Sequence, residues 1–128
     1  MDELIERITA AVGIDAEVAQ QAVGMILGFL KEEGPEDQVA SMMGALPGAE
    51  DLINAAAGGG GGGLLGGAMA ALGGGGVMGL GQKLMSAGLG MGEIGGVAKE
   101  TVAFAKEKAG DEAIDAIVES IPGLGQFI

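Results

Sequence analysis

Cysteine, histidine, tryptophan and tyrosine are all missing from this 128-residue sequence. The lack of cysteine excludes a disulfide framework and a thiolate metal site. The lack of histidine, cysteine and tyrosine removes the commonest general base, the best nucleophile and a phenol. The hydroxyls of Thr9, Ser41, Ser86, Thr101 and Ser120 therefore have no imidazole to activate them. Basic residues are scarce as well: six, with Arg7 the single arginine, against 18 acids, giving a net charge of −12. A phosphate backbone needs clustered Lys and Arg, so nucleic acid is not an expected partner. Aromatics make up only 2% of a chain that is 48% hydrophobic, so its core must be built from Ala, Leu, Ile, Val and methionine. Such small pieces suit closely packed helices better than a β-sandwich, which draws on β-branched and aromatic alternation.

Helix punctuation fills the first 53 residues. Asp2 starts a short helix with Leu4, Ile5, Ile8 and Val12 at helical spacing, and Gly13 ends it. Asp15 is placed to cap a longer helix carrying Val18, Ala22, Met25, Ile26, Phe29 and Leu30 on one broad face. Gly34-Pro35 turns the chain, and Pro35, Glu36 and Asp37 suit the first turn of a third helix with Val39, Met42, Met43 and Leu46 on its apolar side. Pro47-Gly48 stops that helix, and a fourth short helix is predicted over Ala49–Ala57.

Residues 54–75 carry no charge and include six consecutive glycines, Gly58–Gly63, followed by the apolar piece Leu64–Leu72. Each glycine costs roughly 1 kcal/mol in a helix relative to alanine, so the stretch is predicted to be a connector. Shifting the sequence by 75 residues lays 1–53 on 76–128 without a gap. Gly13 then meets Gly88, Phe29 meets Phe104, Lys31-Glu32 meets Lys106-Glu107, Pro47-Gly48 meets Pro122-Gly123, and Ile53 meets Ile128. The apolar sets Val39, Met42, Met43, Leu46 and Ile114, Ile117, Val118, Ile121 coincide too. The expected architecture is all-α: repeat one over 1–53, a glycine-rich connector over 54–75 and repeat two over 76–128. A 53-residue unit buries too little surface to be comfortable alone, so the repeats are expected to pack pseudo-symmetrically into one small bundle and a single domain. Phe29 and Phe104, as the bulkiest aligned residues, are expected in one contiguous core near the axis relating the halves, with Phe127 packed near the chain terminus.

The glycine-separated helix pair, Ala19-x-x-Ala22, the Leu27–Leu30 stretch and the Leu46-Pro47 stop resemble an uncharacterised family of small bacterial helical proteins. Its members repeat such a unit twice, and some carry a Gly/Leu/Met-rich middle. The resemblance covers most of the chain and implies a duplicated all-α fold. It assigns no activity and no residue role.

Candidate chemistry is thin. Gly76-Val77-Met78-Gly79-Leu80-Gly81-Gln82-Lys83-Leu84 fails the phosphate-loop pattern, because Gln82 intervenes and Leu84 replaces the magnesium-binding hydroxyl. Asp111 to Asp115 reads as a helix start rather than a calcium loop. Met25, Met42 and Met43 fall on apolar helix faces and fill the core rather than bind a soft metal. Paired acids such as Glu32/Glu33, Glu36/Asp37 and Asp111/Glu112 sit at helix ends, where they favour the dipole or face water.

No catalytic residue, cofactor or metal is therefore expected. The expected role is a non-enzymatic helical interaction or assembly module, with itself or another protein as partner. Candidate packing or interaction residues are Gly24, Gly28, Phe29, Leu64, Leu65, Met69, Leu72 and Phe104. The alternative is a peripheral membrane protein docking through 64–89, which the acidic charge and the absence of a basic flank disfavour. The opening Met1-Asp2-Glu3-Leu4 lacks the basic start and apolar run of a signal peptide, so a cytoplasmic location is expected.

Overall fold

Seven α-helices and one short 3-10 turn, with no strand, make up the residues that this computed structural model describes, 2–58, 77–121 and 123–126. They are α1 (Asp2–Val12), α2 (Ala16–Glu33), α3 (Glu36–Ala45), α4 (Ala49–Gly58), α5 (Val77–Ser86), α6 (Met91–Ala109) and α7 (Asp111–Ser120), with the 3-10 turn at Leu124–Gln126. The glycine tract from Gly59 through Gly63, the apolar piece Leu64–Leu72 and Phe127 lie outside the described residues.

Local chemistry explains most boundaries. Acids occupy the first turns of α1, α3, α4 and α7, where they meet the positive end of the helix dipole, and lysines sit in the last turns of α2 and α6. Asp15 holds the N-cap position of α2 but makes no side-chain capping bond. At the start of α6 the Gly90 N–H donates to Glu93 Oε1 at 2.9 Å, so an acid three residues into the helix satisfies the amide before it.

The long helices α2 and α6 form the centre. α2 packs against every other helix, and α6 against α1, α2, α3, α5 and α7. Their buried residues join Leu4, Ile8, Val39, Met42, Leu80, Leu84, Ile114 and Ile117 in one hydrophobic cluster that draws on both ends of the sequence. The largest fully buried side chains are aliphatic, Leu27, Leu30 and Ile117 among them, rather than the phenylalanines expected at the centre. Helices this rich in Ala and Gly approach closely, and branched aliphatics fill the narrow space between them better than flat rings do. Thr101 is the buried polar residue of this core, and its hydroxyl donates to the Val97 carbonyl at 2.8 Å. That local bond leaves no polar penalty inside. Gly34 sits where α2 turns into α3, and a Cβ there would lie 2.7 Å from the Leu30 carbonyl oxygen and 2.8 Å from Val39 Cγ2. A side chain there would force the turn or Val39 to shift.

Candidate functional site

Gly24 and Gly28 lie along the seam between α2 and α4. A Cβ on Gly24 would fall 2.2 Å from the Leu52 carbonyl oxygen and 2.7 Å from Ala56 Cβ, while one on Gly28 would meet Ile53 Cγ2 at 3.4 Å. Farther along, Lys31 Nζ pairs with Glu50 Oε1 at 3.2 Å, so α4 runs antiparallel to α2. These glycines therefore serve a contact inside the chain. The apolar face read for α2 from the sequence is only part of the broader arc that it buries. Ala19, Val23 and Leu27 are buried in addition to Ala22, Ile26, Phe29 and Leu30.

Phe29 and Phe104 both belong to the buried cluster, 9% and 4% exposed, at its rim rather than among its fully buried members. Over the Phe104 ring stand Arg7, 5.9 Å from the centroid, and Lys108, at 5.4 Å. Arg7 also reaches from α1 to two acids of α6, Glu107 at 2.6 Å and Glu100 at 3.4 Å. Beside this ring is a depression of about 280 Å³ lined by Glu3, Ala45, Leu46, Pro47, Phe104 and Lys108. A second, of about 290 Å³, lies over Lys99, Val102, Ala103 and Lys106. Small-molecule sites usually enclose about 300–1,000 Å³ and bury most of the ligand, so neither hollow has that form. Among the described residues, no group of three His, Cys, Asp or Glu is arranged to hold a metal ion, and no helix is long and apolar enough to cross a membrane.

No family model, curated protein or solved structure matches this chain.

The candidates Leu64, Leu65, Met69 and Leu72 lie outside the described residues. The sequence reading did not single out Met78, Met85 and Met91, the large hydrophobics exposed at 81%, 54% and 81%. A signal for two of them was present. On α5, Val77, Leu80 and Leu84 take the inner face, which leaves Met78 and Met85, seven residues apart, on the outer one. A methionine is flexible enough to serve a core as readily as a surface, so only the packing distinguishes the two uses.

The surface ion pairs carry a pH dependence. The hydrogen bond from Arg7 holds Glu107 below the ordinary carboxylate range, and the bond to Asp115 raises Lys106 above the ordinary lysine value. Glu107 therefore contributes stability that is present above the unfolded carboxylate pKa and lost as pH falls through its lower folded value. Lys106 contributes stability that is full below the unfolded lysine pKa and lost as pH rises through its higher folded value. Replacing Arg7 with Met should lower the urea midpoint slightly at neutral pH, and the difference from the parent should shrink as acid protonates Glu107 and in high salt. A difference that stays constant across both series would show that the lost interaction is packing on Phe104 rather than charge.

Proposed function

We propose that the protein is a non-enzymatic helical interaction and assembly module built from two copies of one helical unit, as the family it resembles would imply. The duplication is supported by the element plan. Moved by 75 residues, the bounds of α1, α2 and α3 fall within one residue of those of α5, α6 and α7. Gly13 and Gly88 follow the first helix of each unit with φ of 83° and 104°, and Gly48 and Gly123 follow the third with 91° and 85°. A left-handed backbone at these sites admits glycine with little strain, so the punctuation has a conformational cause in both halves. A shared cluster drawing on both units supports one domain. Moved by the same 75 residues, the start of α4 at Ala49 falls on the start of the turn Leu124–Gln126.

The observation that carries the functional reading is the set of exposed methionines at the surface of an otherwise complete aliphatic core. Met78 and Met85 lie on one side of α5, and methionine adapts to varied protein partners. The paired acids Glu36/Asp37 and Asp111/Glu112 stand in the first turns of helices, and Glu100, Glu107 and Asp115 stand in surface ion pairs, where the dipole and solvation account for them.

The reading is tested by sedimentation with zwitterionic and with anionic vesicles, and by calorimetry with magnesium-ATP. The protein should stay in the supernatant with both lipids and give no saturable heat. Stable co-sedimentation would replace the reading with membrane docking. Saturable nucleotide binding abolished by Lys83→Ala would replace it with a nucleotide site.

A further inference from the structure

We propose that the outer face of α5 is where two copies of this chain pair, helix against helix, about a two-fold axis passing near Gln82. This deepens the assembly reading above and rests on it. The first support is exposure: Met78 is 81% and Met85 54% exposed, while Val77, Leu80 and Leu84 of the same helix are buried in the core. The apolar surface of α5 therefore extends beyond the face that the core covers, and its exposed flank is open to a second partner.

The second support is charge. The chain carries −12, yet no acid occurs between Asp51 and Glu93, and Lys83 is the one charged residue of α5. Copies approaching through the carboxylate-rich faces repel each other, whereas approach through α5 brings no carboxylate of that helix against another. An anionic lipid surface is repelled by the rest of the molecule and finds one lysine where several are needed.

The third support is geometry. Gln82 is exposed and stands between Met78 and Met85, four residues after the first and three before the second. In an antiparallel pair crossing there, Met78 of each copy packs on Met85 of the other, which is the self-complementarity that a two-fold interface requires. Met91, at the start of α6, is 81% exposed as well. At the corresponding places of the first unit stand Glu3, Ala10 and Ala16, so the helical plan itself does not call for methionine at these positions. A ten-residue helix is only about 15 Å long, and stable complexes bury about 800 Å² per partner, so the pairing is weak and exchanging.

Light scattering over about a hundredfold range of concentration reads the pairing directly, and the average mass should climb from 12.4 kDa towards twice that value. The triple variant Met78→Glu, Met85→Glu, Met91→Glu should keep the circular dichroism of the parent and stay at the single-chain mass. Because the chain has no cysteine, Gln82→Cys gives a clean second readout. It should form an oxidised dimer on the order of tenfold faster than Glu17→Cys, an exposed control on α2. A parent that holds the single-chain mass throughout overturns the proposal. A triple variant that pairs as the parent does, or equal cross-linking of the two cysteines, overturns this face while leaving assembly through another surface. Binding of the parent to phosphatidylcholine vesicles that the triple variant loses would make lipid the occupant and overturn both.

Discussion

Replacing Phe104 with Ala is expected to lower the unfolding free energy by about 3–5 kcal/mol, a large share of the roughly 5–15 kcal/mol that holds a domain together. The ring is 4% exposed, and its removal opens a void between α6 and the turn at Ala45–Pro47. It also removes the surface beneath Arg7 and Lys108, whose stacking is a small additional loss at so open a position. Phe29→Ala is expected to fall in the lower part of the same range, since that ring is 9% exposed and the edge of its site can relax. Both rings line the same cluster, so each variant and the double variant should unfold in one transition in urea, with the far-UV signal and a tertiary probe coinciding. Two separate transitions would show that the halves hold together independently and would remove the argument for one domain.

The second large effect is expected at a residue with no side chain. Gly24→Ala places a methyl group 2.2 Å from the Leu52 carbonyl oxygen, which is backbone and cannot rotate away. α4 must lift from α2, and overpacking of this kind costs about 1–3 kcal/mol, against a helix-propensity gain of about 1 kcal/mol. Gly28→Ala, four residues on, meets Ile53 Cγ2 at 3.4 Å, an ordinary contact, and should be neutral or slightly stabilising. Gly44→Ala in α3 meets nothing within 4 Å and should raise stability by about 0.5–1 kcal/mol. Urea midpoints for the three variants give the order directly. If Gly24→Ala proves as stable as Gly28→Ala, α4 does not seat on α2 at this distance. A bulkier Gly24→Leu should release α4 outright, lowering helix content and exposing the α4 backbone to hydrogen exchange.

The helices were legible in the sequence because their causes are local. The acids at Asp2, Glu36 and Asp111, the spacing of Leu4, Ile5 and Ile8, and the stops at Gly13, Gly34-Pro35 and Pro47-Gly48 act within one turn of the residues that they govern. The fourth helix was read as Ala49–Ala57 and runs Ala49–Gly58. Asp15 shows the limit of such reading, because a residue type can occupy a cap position without making the cap bond. The candidate residues were less legible. Gly24 and Gly28 signalled a close helix approach, but the same spacing serves an internal seam and a surface between molecules equally well. Nor did Phe104 announce its place at a rim, because Arg7, Leu46 and Pro47, which stand beside it, come from distant parts of the chain.

By itself, then, the sequence determined the helical class, the helix limits, the acidic surface and the poverty of catalytic groups, since each follows from composition or from neighbours along the chain. Tertiary structure decided how far each buried face extends and what covers it. It widened the buried side of α2 by seating α4 on Gly24, filled the centre with aliphatics rather than rings, and left Met78, Met85 and Met91 in solvent while Met42 was buried. A methionine carries the same hydrophobic driving force wherever it stands, and burial is settled by which helices reach it, a property of the assembled chain rather than of any residue within it.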